Sequence, residues 1–222
     1  MFTIGDKAAA LQATLLDKME RTETATIGHF RHHGFVDPAI ASVLGDVRIA
    51  GSAVTVRIPG ADSTLLHYAL SLCGPGDVLV IDRCGDTRHA CWGGVVTAAA
   101  GLAKITAAII DGPATDITEV IAARFPLWCR GRSALTTKFL EFESAVNVPV
   151  QVGGVMVSPG DGVFADYNGV IIVPRAEIEQ VCDTALAMQD NELAVLERLR
   201  QGERLADISG AAQRIAQALA SR

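Results

Sequence analysis

The sequence lacks the features that mark membrane proteins and nucleic-acid-binding proteins. Its apolar residues come in short runs, the longest near 95–103, and none approaches the ~18 residues that a membrane-spanning helix needs. Lysine and arginine number 19 against 25 aspartates and glutamates, and the formal net charge is -6. A broad basic face for nucleic acid is therefore not expected. We predict a soluble protein that binds neither membrane nor nucleic acid.

Paired cysteines and low-complexity linkers are missing as well. The five cysteines show no CxxC spacing, which argues against a structural zinc site and against a disulfide framework. Reduced thiols in a cytoplasmic protein are the simplest interpretation. No linker divides the 222 residues, 50% of which are hydrophobic, so we expect a single domain over residues 1–222.

Helical and extended patterns alternate along the middle of the chain. The patterns predict helices over residues 7–20, 24–34, 64–72, 95–104 and 117–123. They predict strands over residues 47–57, 78–81, 106–110 and 126–129. Further strands follow at 148–152, 155–157 and 169–173, and then a long helix over 176–201 and a final helix. The alternation indicates an α/β fold, and the later strands indicate a second, β-rich layer.

A glycine pair, Gly93–Gly94, stands at the start of the predicted helix over 95–104. The first N–H groups of a helix have no partner within that helix, and they favour an anion such as a carboxylate. A ligand could approach the backbone closely at the two glycines. A tight turn between two layers would explain the pair equally well.

Asp116 follows a predicted strand and a glycine-containing loop. Ligands of α/β proteins gather at the carboxyl ends of strands, and a carboxylate there suits Mg²⁺ or Mn²⁺. The alternative is that Asp116 is the N-cap of the predicted helix over 117–123.

These segments together resemble the RraA-like family, which includes divalent-metal-dependent 4-hydroxy-4-methyl-2-oxoglutarate aldolases. The resemblance covers most of residues 25–175 and is carried mainly by Gly76–Asp82, Asp86, Trp92–Gly94, Ala98–Ala100, Ile110–Gly112 and Asp116. It implies a layered β/β/α swivelling fold with a core of about 25–175 and C-terminal helices of about 176–222. It also implies a homotrimer or a dimer of trimers.

The resemblance assigns roles to residues of the candidate site. It implies that Asp116 is catalytic and binds Mg²⁺ or Mn²⁺. It also implies that the backbone of the loop and first helical turn, at Gly93, Gly94, Val95 and Val96, holds the carboxylate of a small 2-keto acid.

Two positions depart from the pattern of the active aldolases. Those enzymes end this stretch with Asp-Gly-x-x-Arg-Asp, whereas residues 111–116 read Asp-Gly-Pro-Ala-Thr-Asp, which puts Thr115 in the place of the catalytic arginine. Gly94 stands where the active enzymes usually have Glu or Asp. A charge-assisted hydrogen bond contributes roughly 1.5–3 kcal/mol, and threonine cannot supply it.

Another cation could replace the missing arginine. Arg83 is our first candidate for a catalytic role, because it directly follows a predicted strand at the same presumed edge of the sheet; Arg88 and Arg130 are further candidates. A structural ion pair, for example with Asp82 or Asp86, would explain Arg83 without catalysis.

The sequence therefore supports a metal-dependent lyase that acts on a small 2-keto acid by retro-aldol cleavage or by decarboxylation of the oxaloacetate type. One alternative is a non-catalytic regulatory protein, like the family members that bind and inhibit the endoribonuclease RNase E. Another is an enzyme of this fold with a different small acid as its substrate.

Overall fold

The computed structural model describes residues 1–221, and Arg222, at the end of the predicted C-terminal helical region, lies outside the described residues. The strands are β1 (Phe2–Ile4), β2 (Ala41–Ser42), β3 (Ile49–Arg57), β4 (Asp77–Asp82), β5 (Ala107–Ile110), β6 (Leu127–Cys129), β7 (Ser144–Val146), β8 (Val150–Val152), β9 (Val155–Val157), β10 (Gly162–Asp166) and β11 (Gly169–Val173). The helices are α1 (Ala13–Arg21), α2 (Thr24–Gly28), α3 (Thr64–Leu70), α4 (Gly94–Leu102), α5 (Ile117–Ala122), α6 (Ile178–Arg200), α7 (Leu205–Ile208) and α8 (Ala211–Ala220).

The main sheet has the strand order β1-β7-β3-β4-β5-β6-β2. Off this path, β10 pairs with β3, and β11 pairs with β10. Strands β3, β4, β5 and β6 are parallel to one another, so their carboxyl ends meet at one edge of the sheet. The antiparallel strands β8 and β9 form a separate two-stranded sheet. Parallel strands covered on both faces have nearly continuous apolar sequences, which explains the run at 78–81.

Strand β4 separates two parts of the core. Val78 and Val80 are fully buried in a cluster with residues of the β8–β9 sheet, whereas Leu79 and Ile81 are buried in a cluster with residues of α3, α4 and α5. Successive side chains of a strand point to opposite faces, so one short apolar run serves both clusters. A third cluster packs α1 and α6 against β10 and β11.

The structure confirms the predicted α/β class with C-terminal helices. Several boundaries differ, however: α1 begins at Ala13 rather than near residue 7, and α2 ends at Gly28 rather than near Gly34. The predicted long helix begins with a 3₁₀ turn at Arg175–Glu177, and the predicted final helix is two helices separated at Gly210, which has a φ of 73°. The predicted extent of the domain, 1–222, stays a prediction.

The sequence analysis missed β1, β2, β7 and β10. The first three have only two or three residues each, too few to establish a period. Strand β10 is buried at all five positions and therefore shows no alternation of polar and apolar residues.

Within residues 1–221, no helix is both long enough and apolar enough to cross a bilayer. The five cysteines carry free thiols.

Candidate active site

Three irregular segments lie side by side beyond the carboxyl ends of the parallel strands. Ala114 forms a parallel bridge with Trp92 on one side and with Arg132 on the other. Thr115 N–H donates to the carbonyl of Trp92 at 2.8 Å, and Ala114 N–H donates to the carbonyl of Gly131 at 3.0 Å. These bonds place residues 115 and 116 between the glycine pair and residue 132.

The carboxylate of Asp116 joins two helices. The backbone carbonyl of Asp116 accepts the N–H of Glu119 and so begins α5, but its side chain makes no capping bond to that helix. Instead Gly94 N–H, in the first turn of α4, donates to Oδ2 of Asp116 at 2.9 Å, and the hydroxyl of Thr115 donates to Oδ1 at 3.2 Å. Asp116 therefore caps α4 rather than its own helix, and the residue remains exposed.

The two glycines have different structural roles. A Cβ at Gly93 would lie 2.6 Å from Oδ2 of Asp116 and 2.9 Å from Cγ2 of Thr115, closer than these atoms can approach. A Cβ at Gly94 would meet its nearest neighbour, Cβ of Glu119, at 3.4 Å, which is ordinary contact. Glycine is thus favoured at 93 by the approach of the carboxylate, whereas position 94 has room for a Cβ.

A cavity of about 270 Å³ opens beside Asp116. The start of α4 lines this cavity, and so do Thr136, Thr137, Lys138 and Phe139. Among residues 1–221, no protein acceptor is hydrogen bonded to the N–H groups of Val95 and Val96, while that of Gly94 is taken by Asp116. The first turn of α4 can therefore offer two N–H groups to an anion in this cavity.

His67 and Cys91 also line the cavity. Burial lowers the pKa of His67, whose ring packs edge-on against Phe139 with the ring centroids 4.8 Å apart. Burial raises the pKa of the Cys91 thiol to about 11. At neutral pH the imidazole is therefore a neutral base, and the thiol stays protonated.

Comparison with known proteins identifies the family. The family model described as "RraA-like: Aldolase/RraA" matches residues 12–172, which include every residue of the cavity. The chain belongs to the RraA-like family. The predicted resemblance is thereby confirmed.

Relatives of this RraA-like chain include both named and uncharacterized proteins. One from Halalkalibacterium halodurans, named "Putative 4-hydroxy-4-methyl-2-oxoglutarate aldolase", is 33% identical over 147 residues, 66% of this chain and 70% of its own. The crystal structure of an uncharacterized protein from Pseudomonas syringae pv. tomato has a TM-score of 0.79 and 26% identity, covering 93% of this chain and 98% of that chain. The RNA-processing inhibitor RraA from Thermus thermophilis has a TM-score of 0.58 and 26% identity, covering 75% and 94%.

Arg83 does not line the cavity of this RraA-like chain. Its side chain is fully buried, and its guanidinium group lies 3.6 Å from the carboxylate of Asp86. The guanidinium donates to backbone carbonyls, those of Ile58, Gly60, Asp62 and His89. Position 112 is glycine because a Cβ there would lie 2.7 Å from Cγ of Arg83. These contacts describe a buried structural arginine, and its proposed catalytic role stays a prediction.

The other candidate arginines also lie outside the cavity lining. Arg130 pairs with Asp37 at 2.8 Å and with Asp111, whose second oxygen accepts the N–H of Gly153. These contacts link the residue that follows β6 to the turn between β8 and β9. The side chain of Arg88 is exposed.

Lys138 is the cavity cation that the sequence analysis missed. It lies in an irregular segment without a motif, so no sequence pattern marks it. Lys138 is exposed, and in the described part of the chain its ammonium group has no ion-pair or hydrogen-bond partner. Its position is set by the backbone: Lys138 N–H donates to the carbonyl of Ala61 at 2.7 Å.

Buried Asp62 anchors the segment that carries Lys138. Its carboxylate accepts the N–H groups of Leu140 at 3.0 Å and Phe142 at 2.9 Å, and also both donors of Thr64. Burial acts to raise the pKa of Asp62, but these hydrogen bonds outweigh burial, and the net pKa lies below its ordinary value. An ionised Asp62 therefore stabilises one wall of the cavity.

We predict that Asp62→Asn lowers the free energy of unfolding at pH 7 by roughly 1.5–3 kcal/mol, because an amide cannot accept all of these bonds. Since the folded-state pKa is depressed, this stabilisation is present above about pH 4 and is lost as the pH falls through the folded-state pKa. Urea unfolding at pH 7 and pH 3 measures both effects. Asp190→Asn, on an exposed position of α6, is the control, and a mutant with the same pH dependence as the wild type would contradict the assignment.

Proposed function

We propose that this RraA-like protein is a lyase that cleaves or decarboxylates a small 2-keto acid with the help of Mg²⁺ or Mn²⁺. The observation that carries the proposal is the exposed carboxylate of Asp116, held beside the unpartnered N–H groups of α4 in a cavity that Lys138 also lines. The aldolase name of the Halalkalibacterium relative supports this class of reaction.

The residues around Asp116 suit a hard divalent ion. No group of three or more His, Cys, Asp or Glu side chains that could hold a metal occurs in residues 1–221. Mg²⁺ commonly takes only one or two protein carboxylates and keeps several waters. Asp116 alone, or together with neighbouring Glu119, therefore provides enough protein ligands for the ion. When bound, the ion polarises the keto oxygen of the substrate and stabilises the enolate charge.

We assign the binding of the substrate and the proton transfer to side chains and backbone groups of the chain. The N–H groups of Val95 and Val96 bind the carboxylate of the keto acid, and the ammonium group of Lys138 neutralises its charge. The neutral imidazole of His67 takes the proton of the substrate hydroxyl in a retro-aldol cleavage. Thr115 positions the carboxylate of Asp116 through its hydroxyl.

We predict that Asp116→Ala weakens Mn²⁺ binding by at least about tenfold while the fold persists. Loss of the capping bond to α4 should cost about 0.5–2 kcal/mol of stability, which a folded domain tolerates. Calorimetric titration with Mn²⁺ measures the affinity, and Asp190→Ala is the matched exposed control. An unchanged affinity in the Asp116 variant would show that the ion binds elsewhere.

We predict that Thr115→Arg combined with Gly94→Glu raises pyruvate formation from 4-hydroxy-4-methyl-2-oxoglutarate by about 10²-fold, because a preorganised cation then stabilises the enolate. A Cβ added at Gly94 meets its nearest neighbours at 3.4–3.6 Å, so the substitution does not clash at its first side-chain atom. Each single variant serves as a comparison, and adding Asp116→Ala should remove the gain.

Fast pyruvate formation by the wild type would contradict that prediction. It would mean that a cation of the native chain already does the work of the arginine. Arg83→Ala and Lys138→Ala then separate the candidates: a stability loss with kcat retained assigns Arg83 a structural role, whereas loss of kcat with a normal melting temperature identifies the catalytic cation.

The second candidate function is a non-catalytic regulatory protein. The observation that favours it is the joint loss of the arginine at 115 and the acid at 94. The similarity to the Thermus RNA-processing inhibitor is in keeping with it. Two results together would favour the regulatory function over catalysis. They are the absence of turnover in both the wild type and the double variant, and the absence of a thermal shift with any keto acid.

We also propose that the chain forms a homotrimer, singly or as a dimer of trimers. Exposed apolar residues gather near the cavity, and Phe2, Ile4 and Tyr68 line one shared hollow. Phe139, which is 65% exposed, belongs to the cavity wall itself. Exposed apolar side chains of this size suit an interface between copies.

We predict that sedimentation gives a mass of three or six chains of 23.3 kDa and that Ile4→Asp with Tyr68→Glu lowers it. The charges would oppose burial of this surface without disturbing the core, since both side chains are exposed. A mass of one chain at every protein concentration would refute the trimer.

A further inference from the structure

The segment from residue 131 to residue 138 carries two cations, Arg132 and Lys138, each of which lines a hollow that Asp116 also lines. Arg132 forms a bridge with Ala114, Thr136 forms one with Ala90, and Lys138 forms one with Asp62. Backbone pairing thus fixes both ends of the segment. Lys138 lines the cavity already described, whereas Arg132 lines a different hollow.

Arg132 lines a second hollow of about 430 Å³. This hollow shares Thr115 and Asp116 with the cavity, so the exposed carboxylate of Asp116 borders both spaces. An elongated ligand centred on Asp116 could therefore extend from the first turn of α4 into the second hollow.

The guanidinium of Arg132 is available for a ligand. Arg132 is exposed, and in the described portion of the chain its side chain forms neither an ion pair nor a hydrogen bond. Arg130, two residues earlier, is by contrast committed to Asp37 and Asp111. A free planar guanidinium at the rim of a hollow suits a carboxylate, which it can bind through two parallel hydrogen bonds.

We propose that Arg132 binds the second, distal carboxylate of a dianionic keto acid. The first carboxylate then lies at the N–H groups of Val95 and Val96 near Lys138. This inference rests on the proposed function, and it makes Arg132 a specificity-determining residue that selects two-carboxylate substrates over one-carboxylate substrates.

The test compares binding of 2-oxoglutarate, which has two carboxylates, with binding of pyruvate, which has one. Calorimetric titrations in Mn²⁺ are made on the wild type and on Arg132→Ala, Arg132→Lys and Lys138→Ala. Arg214→Ala, an exposed arginine of α8 without an ion pair in the described residues, is the matched control. Thermal unfolding checks that each variant is folded.

We expect Arg132→Ala to weaken 2-oxoglutarate binding by about 10- to 100-fold and pyruvate binding by less than about twofold. Arg132→Lys should recover part of the loss, Lys138→Ala should weaken both ligands, and Arg214→Ala should weaken neither. Unchanged 2-oxoglutarate binding in Arg132→Ala, or an equal loss for both ligands, would overturn the role of Arg132. A wild type that binds pyruvate but not 2-oxoglutarate would overturn it too. A wild type that binds neither ligand would overturn the proposed function as well.

Discussion

The hydrogen bond from Gly94 N–H to the carboxylate of Asp116 connects the two loops from which the site is built. It joins the first turn of α4, which follows the loop after β4, to the start of α5, which follows β5. The approach of the carboxylate excludes a side chain at Gly93. It also leaves the next two N–H groups of α4 facing the cavity without protein acceptors in residues 1–221. One carboxylate thus shapes the first turn of α4 and keeps lone pairs for the metal ion that we propose.

The elements around this bond could be predicted from sequence, because β4, β5 and α4 are mainly apolar runs and α5 begins directly after Asp116. That holds for β4, β5, α4 and α5, whose positions agree with the patterns to within one or two residues. The position of Asp116 beyond β5 followed from the same reasoning. Its hydrogen bond to α4 did not, because local pattern favours the nearest helix and says nothing about a helix 22 residues earlier in the chain.

The positions of the charged side chains Arg83, Lys138 and Arg132 could not be predicted from sequence. Arg83 follows a strand end, as predicted, yet its side chain is turned into the protein, because four backbone carbonyls around it need donors. Lys138 and Arg132 lie in an irregular segment whose course is set by single bridges to residues 62, 90 and 114. No periodicity encodes those bridges. They join backbone groups that are far apart in the sequence and that the folded structure brings together.

The pairing of β1 has a consequence for how the chain is made. Residues 2–4 pair in parallel with residues 144–146, so β1 leaves the ribosome well before its partner strand does. Until residue 146 has been synthesised, Phe2 and Ile4 belong to an unpaired apolar segment. Contacts of such large sequence separation form late, because closing the intervening loop is entropically costly. The edge of the sheet nearest the exposed apolar surface is therefore completed only after the parallel strands β3 to β6 have all been translated.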